Sequence, residues 1–208
     1  MTTPPIIVCT LNRFADHVRM FEHSCDYYAN DSHVEIFKAR PSTFGADYNA
    51  AVGVTFAEFP HHDRFIIAND DVVLHPETMQ LLIEDADMLD QAGIRWGHIA
   101  ARTDRVMQNL QNIYRNPLGH AAQIQYEQAI APIFSMIHRD RWVNFPPINW
   151  GSDIIQCYDM IAAGHRICVS RAYVHHIGGI TSGKHASADR EASRKWCAEN
   201  RPEFANLI

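Results

Sequence analysis

Residues 65–77 read Phe65-Ile66-Ile67-Ala68-Asn69-Asp70-Asp71-Val72-Val73-Leu74-His75-Pro76-Glu77. Phe65 to Ala68 form a short apolar run suited to a buried strand, and the run ends in Asn69-Asp70-Asp71. Acids at the carboxyl end of a central parallel strand lie where open α/β sheets bind their ligands. Adjacent carboxylates repel one another and resist desolvation, so they call for a cation. Oxygen donors favour a hard ion such as Mg²⁺ or Mn²⁺, which commonly holds a diphosphate. The competing reading is a strand that ends in a polar turn, with Asp70 or Asp71 capping the next helix.

Outward from this stretch the chain alternates strands and helices. Ile6 to Leu11 reads as a first buried strand. Residues 13–29 carry Phe14, Val18, Phe21 and Cys25 at helical spacing, and Val34 to Phe37 is a second strand. Residues 45–59 repeat apolar side chains at helical intervals, and Pro76 opens a helix that Gly93 stops. Trp96 to Ala101 and Ile130 to Ile137, the latter broken by Pro132, are further strands. Residues 103–128 are polar and rich in Gln and Asn, read as a helix followed by a long loop. Ser152 to Ala163 is a helix with Ser152 as N-cap and Gly164 as its stop. Arg166 to Ser170 and Tyr173 to Ile177 are two short strands. Residues 178–186 form a glycine-containing loop before a last helix over 187–199. Repeated βα units predict a mostly parallel sheet with helices on both faces in one α/β domain, residues 1–208.

At 208 residues and 47% hydrophobic content the chain can bury a full core. No segment approaches the roughly 18–20 apolar residues of a membrane span, and the start Met-Thr-Thr-Pro-Pro has no signal-peptide pattern. Membrane insertion is not expected. The five cysteines are scattered without a Cys-x-x-Cys pair, which fits reduced thiols and a cytoplasmic setting. A net charge of −6 argues against a general nucleic-acid binder. Residues 58–90 hold nine acids against Arg64 alone, read as the decoration of a solvated helix. Residues 95–116 are basic, with Arg95, Arg102, Arg105 and Arg115, and face either an anionic ligand or solvent.

The order of short motifs is more specific than any one of them. Thr10-Leu11-Asn12-Arg13 closes the first strand, and Gly45-Ala46-Asp47-Tyr48-Asn49 opens a helix before the acidic strand. Asn69-Asp70-Asp71 follows, then Trp150-Gly151-Ser152-Asp153, Gly164-His165-Arg166, His175-His176-Ile177-Gly178-Gly179 and Arg194-Lys195-Trp196. Together they resemble the nucleotide-sugar glycosyltransferases of the GT-A fold, particularly family 2. The resemblance implies a Rossmann-like GT-A domain, with a donor half over about 1–100 and an acceptor half over about 101–208. It implies that Asn69-Asp70-Asp71 is a variant Asp-x-Asp motif in which Asp71 binds the metal. It also implies that His176, in a His-x-Gly-Gly pattern, completes the metal site, with His175 as its rival. Strand alternation allows only one of the two to face the cleft. A histidine beside carboxylates suits Mn²⁺ somewhat better than Mg²⁺. Asp153 matches the second residue of the family's Glu-Asp motif, and is expected to act as general base in an inverting transfer to an acceptor hydroxyl.

On the same resemblance Thr10, Asn12, Arg13, Arg40, Asn49, Asn69, Asp70 and Lys184 are expected to contact the nucleotide-sugar donor, and Trp150, with Trp142 and Tyr158, the acceptor. The chain departs from the pattern where Lys38-Ala39-Arg40 replaces an acidic stretch, where Ser152 stands for Glu, and where Asp159 stands for a frequent Arg. The acceptor is expected to be a glycan hydroxyl, with a hydroxylated base in phage DNA as the minority reading. Two other classes stay open. A metal-dependent hydrolase draws on thirteen histidines, on His61-His62-Asp63, on His175-His176 and on the acidic pair. A noncatalytic nucleotide-binding module would not need Asp153.

Overall fold

The computed structural model describes residues 3–10, 15–29, 32–38, 42–116, 123–178 and 186–208. Strands β1 (Ile6–Thr10), β2 (Val34–Lys38), β3 (Arg64–Ala68), β4 (Val72–Leu74), β5 (Trp96–Arg102), β6 (Gln125–Glu127), β7 (Phe134–His138) and β8 (Arg166–His176) form one sheet. Helices α1 (Ala15–Tyr28), α2 (Phe44–Glu58), α3 (Thr78–Gln91), α4 (Ser152–Ala162) and α5 (Ala186–Asn200) flank it. The strand order is β2-β1-β3-β7-β5-β8-β4, with β6 paired to β8. β1, β2, β3, β5 and β8 run the same way, and β4, β6 and β7 run against them. The sheet is therefore mixed and mostly parallel.

The apolar runs are continuous because both sheet faces are covered. Ile6, Val8, Ile66 and Ala68 pack with Phe21 and Cys25 of α1 and with α3. Their alternates Ile7, Phe65 and Ile67 pack with Tyr48 and Val52 of α2. The Tyr48 hydroxyl donates to the Ala68 carbonyl at 2.6 Å and so pins the end of β3 just before the acids. Gly45 allows α2 to meet the 146–152 segment, since a Cβ there would lie 1.8 Å from the Pro146 oxygen.

Several elements differ from the sequence reading. β4 follows Asp71 directly, where a turn into the next helix was expected, and α3 begins at Thr78, two residues after Pro76. The strand expected over 130–137 is confined to Phe134–His138, beyond Pro132, and runs antiparallel to its neighbours. The two short strands at 166–177 are one strand of 11 residues. No helix forms among the described residues of 103–128; they make turns and β6, tied by buried Arg102 to the carbonyls of Leu110 and Gln123. Ser152 is not the N-cap of α4. Gly151 caps it in a left-handed conformation, and the Ser152 hydroxyl instead donates to the Pro146 carbonyl.

The acids of α3 are not all solvated. Asp85 is fully buried, where it accepts from Ser170 and Arg171, and Asp87 and Asp90 pair with Arg64. The five cysteines are free thiols. Among the described residues no helix is long and apolar enough to cross a membrane.

Candidate functional site

β3 delivers Asn69, Asp70 and Asp71 to the carboxyl end of the sheet. Thr10, at the same end of β1, donates to the Asp70 carboxylate. Burial pushes the Asp70 carboxyl above its ordinary range, and the negative charge of Asp71 adds to this. β4 then pairs antiparallel with β8, Val72 opposite His176 and Leu74 opposite Val174, and the Ile177 N–H donates to the Asp71 carbonyl. This ribbon brings together two motifs about a hundred residues apart in sequence.

Asp71 Oδ1 lies 3.2 Å from His176 Nε2. The other ring nitrogen, Nδ1, lies 2.9 Å from the Arg105 carbonyl oxygen. A carbonyl can only accept, so Nδ1 carries a proton. In the neutral ring Nε2 then presents a lone pair to a carboxylate oxygen, and two lone pairs at this spacing need a proton or a cation between them. Burial alone would raise the Asp71 carboxyl, but the hydrogen bond and charge of His176 outweigh it and hold it below the usual range. His176 is shifted the other way: burial opposes its charge, and the Asp71 contact overrides burial to raise it. Gly178, at φ +64, turns the chain so that its N–H also serves the Asp71 carboxylate.

The donor set suits a divalent cation. One carboxylate oxygen and one imidazole nitrogen lie 3.2 Å apart, the separation of neighbouring donors about an ion bound at roughly 2.0–2.2 Å. A second hydrogen bond holds the histidine tautomer, as in metal-ligating histidines. Among the described residues no group of three or more His, Cys, Asp or Glu side chains converges as a complete metal cage. Two protein ligands leave coordination positions to substrate oxygens and water, which is how Mg²⁺-type sites on phosphates are built.

His175 points to the other face of β8. Its Nδ1 lies 2.8 Å from Asp104 Oδ2, and its side chain is 48% exposed against 12% for His176. Asp104 also accepts from the His176 backbone N–H at 3.0 Å.

A cleft of about 590 Å³ opens beside His176 and Asn69 and is lined by Trp150, Asp153, Arg105, Arg190 and Arg194. Asp153 lies in the first turn of α4, where its Oδ1 accepts from the Ile154 N–H at 2.9 Å. Burial raises its pKa to about 6, although backbone N–H groups favour the charged form. The α4 helix is fixed from beneath by His98, fully buried on β5, which bonds Ser135 at 2.9 Å and Gln156 at 2.8 Å. Burial lowers the His98 pKa to about 4, so this bridge is neutral. Arg190 stacks 4.3 Å above the Trp150 ring. Three arginines in the cleft of an acidic chain make it receptive to anions.

Of the expected site residues, Asn69, Asp153, Trp150 and His176 line this cleft, with Asp71 against His176 and Thr10 bound to Asp70. Asn49 does not join them. Its carboxamide donates to the Phe145 carbonyl and accepts from the Phe145 N–H, so both ends are committed to the backbone. Nor do Trp142 and Tyr158. Trp142 packs on Phe145, and Tyr158 packs on Phe204. Asp159, standing where Arg is frequent in the resembling family, binds both Nη atoms of Arg201. Asn12, Arg13, Arg40 and Lys184 lie outside the described residues. The His61-His62-Asp63 cluster lies at the opposite end of β3 from Asp71 and does not line the cleft. Arg105 was read from the sequence only as part of a basic stretch facing an anionic ligand or solvent, and Asp104 was not given a role, because the segment around them has no periodicity to orient it.

No protein-family model matches this chain, and no characterised protein matches it by sequence. Solved glycosyltransferase structures share its fold. S. aureus TarS 1-349 in complex with UDP-GlcNAc superposes with a TM-score of 0.64 at 12% identity, covering 95% of this chain and 66% of that one. GalNAc-T7 with UDP, GalNAc and Mn²⁺ gives 0.62 at 11% identity, over 92% of this chain and 47% of that one. A glycosyltransferase involved in glycosylation of the major capsid of PBCV-1 gives 0.52 at 12% identity, over 92% of this chain and 100% of that one. The chain has the GT-A-like fold of nucleotide-sugar glycosyltransferases.

Proposed function

We propose that this chain, built on the GT-A-like fold, transfers a sugar from a nucleotide-sugar donor to an acceptor hydroxyl with inversion. The observation that carries the reading is the placement of a tautomer-fixed His176 against Asp71 in the same cleft as Asp153, a carboxylate in a helix first turn with a pKa of about 6. The structural neighbours in complex with UDP-GlcNAc, or with UDP, GalNAc and Mn²⁺, support a nucleotide-sugar donor.

The donor diphosphate lies at the Asn69–Asp71 end of the cleft, served by the first half of the chain, and the acceptor approaches from Trp150. Asp71 and His176 would hold a divalent cation, Mn²⁺ or Mg²⁺, whose charge offsets that of the departing diphosphate. Arg105, Arg190 and Arg194 add positive potential on the same side. Asp153 takes the proton of the acceptor hydroxyl as its oxygen bonds to the anomeric carbon. The bond from that carbon to the diphosphate oxygen breaks, with the electron pair leaving on the diphosphate. Attack from the face opposite the leaving group inverts the centre. A base with a pKa near 6 is mostly ionised at neutral pH and still basic enough to accept the proton. A glycan hydroxyl is the acceptor class that the sequence resemblance implies.

The test is Asp153→Asn, assayed with a panel of nucleotide sugars for donor affinity and for transfer. Donor affinity is expected to stay near wild type while the rate falls about 10²–10⁴-fold. The wild-type rate is expected to decline as pH drops through about 6, where Asp153 takes up a proton. Near-wild-type transfer by the variant, or a retained anomeric configuration, overturns the assignment.

A further inference from the structure

A second cleft, of about 490 Å³, opens between the start of α3, the last turns of β8 and the segment around Ile113. It shares no lining residue with the catalytic cleft. The β4/β8 register explains why. Leu74 stands opposite Val174, so the next pair along the ribbon is His75 and Tyr173. Tyr173 and His175 project to the face opposite His176, because side chains alternate along a strand.

We propose that this cleft is a carbohydrate-binding subsite, separate from the transfer centre, that takes neutral sugar units of an oligosaccharide. Its wall is aromatic and fixed: the His75 and Tyr173 rings pack edge to face, centroids 6.1 Å apart at 73°. Leu81 and Ile113 add an apolar floor. Around this surface stand polar groups without protein partners. Among the described residues the Glu77 carboxylate and the Tyr173 hydroxyl make no hydrogen bond, and neither does the His75 ring. A ligand with apolar C–H faces and a rim of hydroxyls satisfies both kinds of surface at once.

The charge balance disfavours an anionic ligand. Arg171 is the single cation of the lining, and its guanidinium is already held by Asp85 at 2.6 Å and Glu84 at 3.3 Å. With Glu77 beside it, the cleft offers an anion no net attraction. Tyr114, 75% exposed and close enough to Tyr173 to influence its ionisation electrostatically, continues the aromatic surface outward, and half-exposed His175 lies on the same face of β8. A longer chain of sugar units would run over these two residues.

Binding is tested on the full chain without nucleotide or metal, so that it is independent of the transfer reading. Chitotetraose and maltotetraose are titrated by calorimetry and by saturation-transfer NMR. At least one tetraose is expected to bind, and His75→Ala and Glu77→Gln, both at exposed positions, are each expected to weaken it at least about fivefold, the worth of one hydrogen bond. Thermal melting confirms that both variants fold. Trp150→Ala in the catalytic cleft is the comparison that reports any tetraose held on the acceptor side of that cleft. Absence of binding by both tetraoses overturns the proposal, as does binding that survives both His75→Ala and Glu77→Gln, whether or not it is lost in Trp150→Ala.

Discussion

Strand β8 carries two adjacent histidines, each facing an aspartate, and the two pairs are not equivalent. His176 is nearly buried, its Nδ1 proton is held by the Arg105 carbonyl, and its Nε2 meets Asp71. His175 is half exposed and uses Nδ1 on Asp104, leaving Nε2 to solvent. A buried ring with one nitrogen committed is a preorganised ligand. A half-exposed ring on a carboxylate that is already hydrogen-bonded is a contact of small worth. Which pair belongs to the site follows from the second contact of each ring more than from its first.

The largest expected effect separates the two rings. His176→Ala should weaken Mn²⁺-dependent binding of a nucleoside diphosphate more than about 100-fold, beyond the 10–100-fold typical of outer-shell changes, while His175→Ala changes it by less than about threefold. Titration calorimetry with Mn²⁺ and with chelator reads both, and equal effects would erase the distinction. Asp71→Ala should match His176→Ala, since it removes the other donor.

The second effect is in pH. A ligand nitrogen must be unprotonated, and the folded pKa of His176 is raised above 6.5. Mn²⁺ affinity should therefore fall, approaching about tenfold per unit, as pH drops below that raised value. Without metal the sign reverses. The stability contributed by His176 is fully present below 6.5 and is lost as pH rises through its folded value. The contribution of Asp71, whose carboxyl is depressed, is present above 3.8 and is lost as pH falls through its folded value. His176→Gln should cost the metal-free protein about 1–3 kcal/mol near pH 5.5 and less near pH 9, measured by urea unfolding at the two pH values. A cost that does not change with pH would mean that the pair is not an ion pair.

The smallest effect is on the exposed pair. His175→Gln should change unfolding free energy by no more than about 0.5–1 kcal/mol, and 1 M salt should remove most of that. A larger, salt-insensitive loss would show that Asp104 and His175 brace the loop beneath the site.

Much of this was legible in residues. The apolar run Phe65–Ala68 ending in acids located β3 and the carboxyl end of the sheet, because both sheet faces are covered and a buried strand needs no alternation. Helical spacing located α1 and α2, and the glycines after α3 and α4 marked their ends. The residues expected at the site from sequence resemblance include the pair that the structure brings into contact, Asp71 and His176. Asn49 was misread because an asparagine in a helix looks the same whether its amide faces a ligand or, as here, clamps Phe145. The segment over 103–116 was misread because its order comes from buried Arg102, Gln111 and Asn112 bonding to distant carbonyls, which leaves no periodic trace.

The sequence by itself determined the βα alternation, the acids after β3 and the glycine after His176, since each rests on local propensity or on the conformational demands of single residues. Tertiary structure alone decided which histidine meets Asp71, because that choice depends on the β4/β8 register and on a carbonyl from residue 105. It also raised Asp153 to a pKa of about 6, through burial by elements far from it in the chain. Register and desolvation are properties of neighbours in space, and the order of residues does not list them.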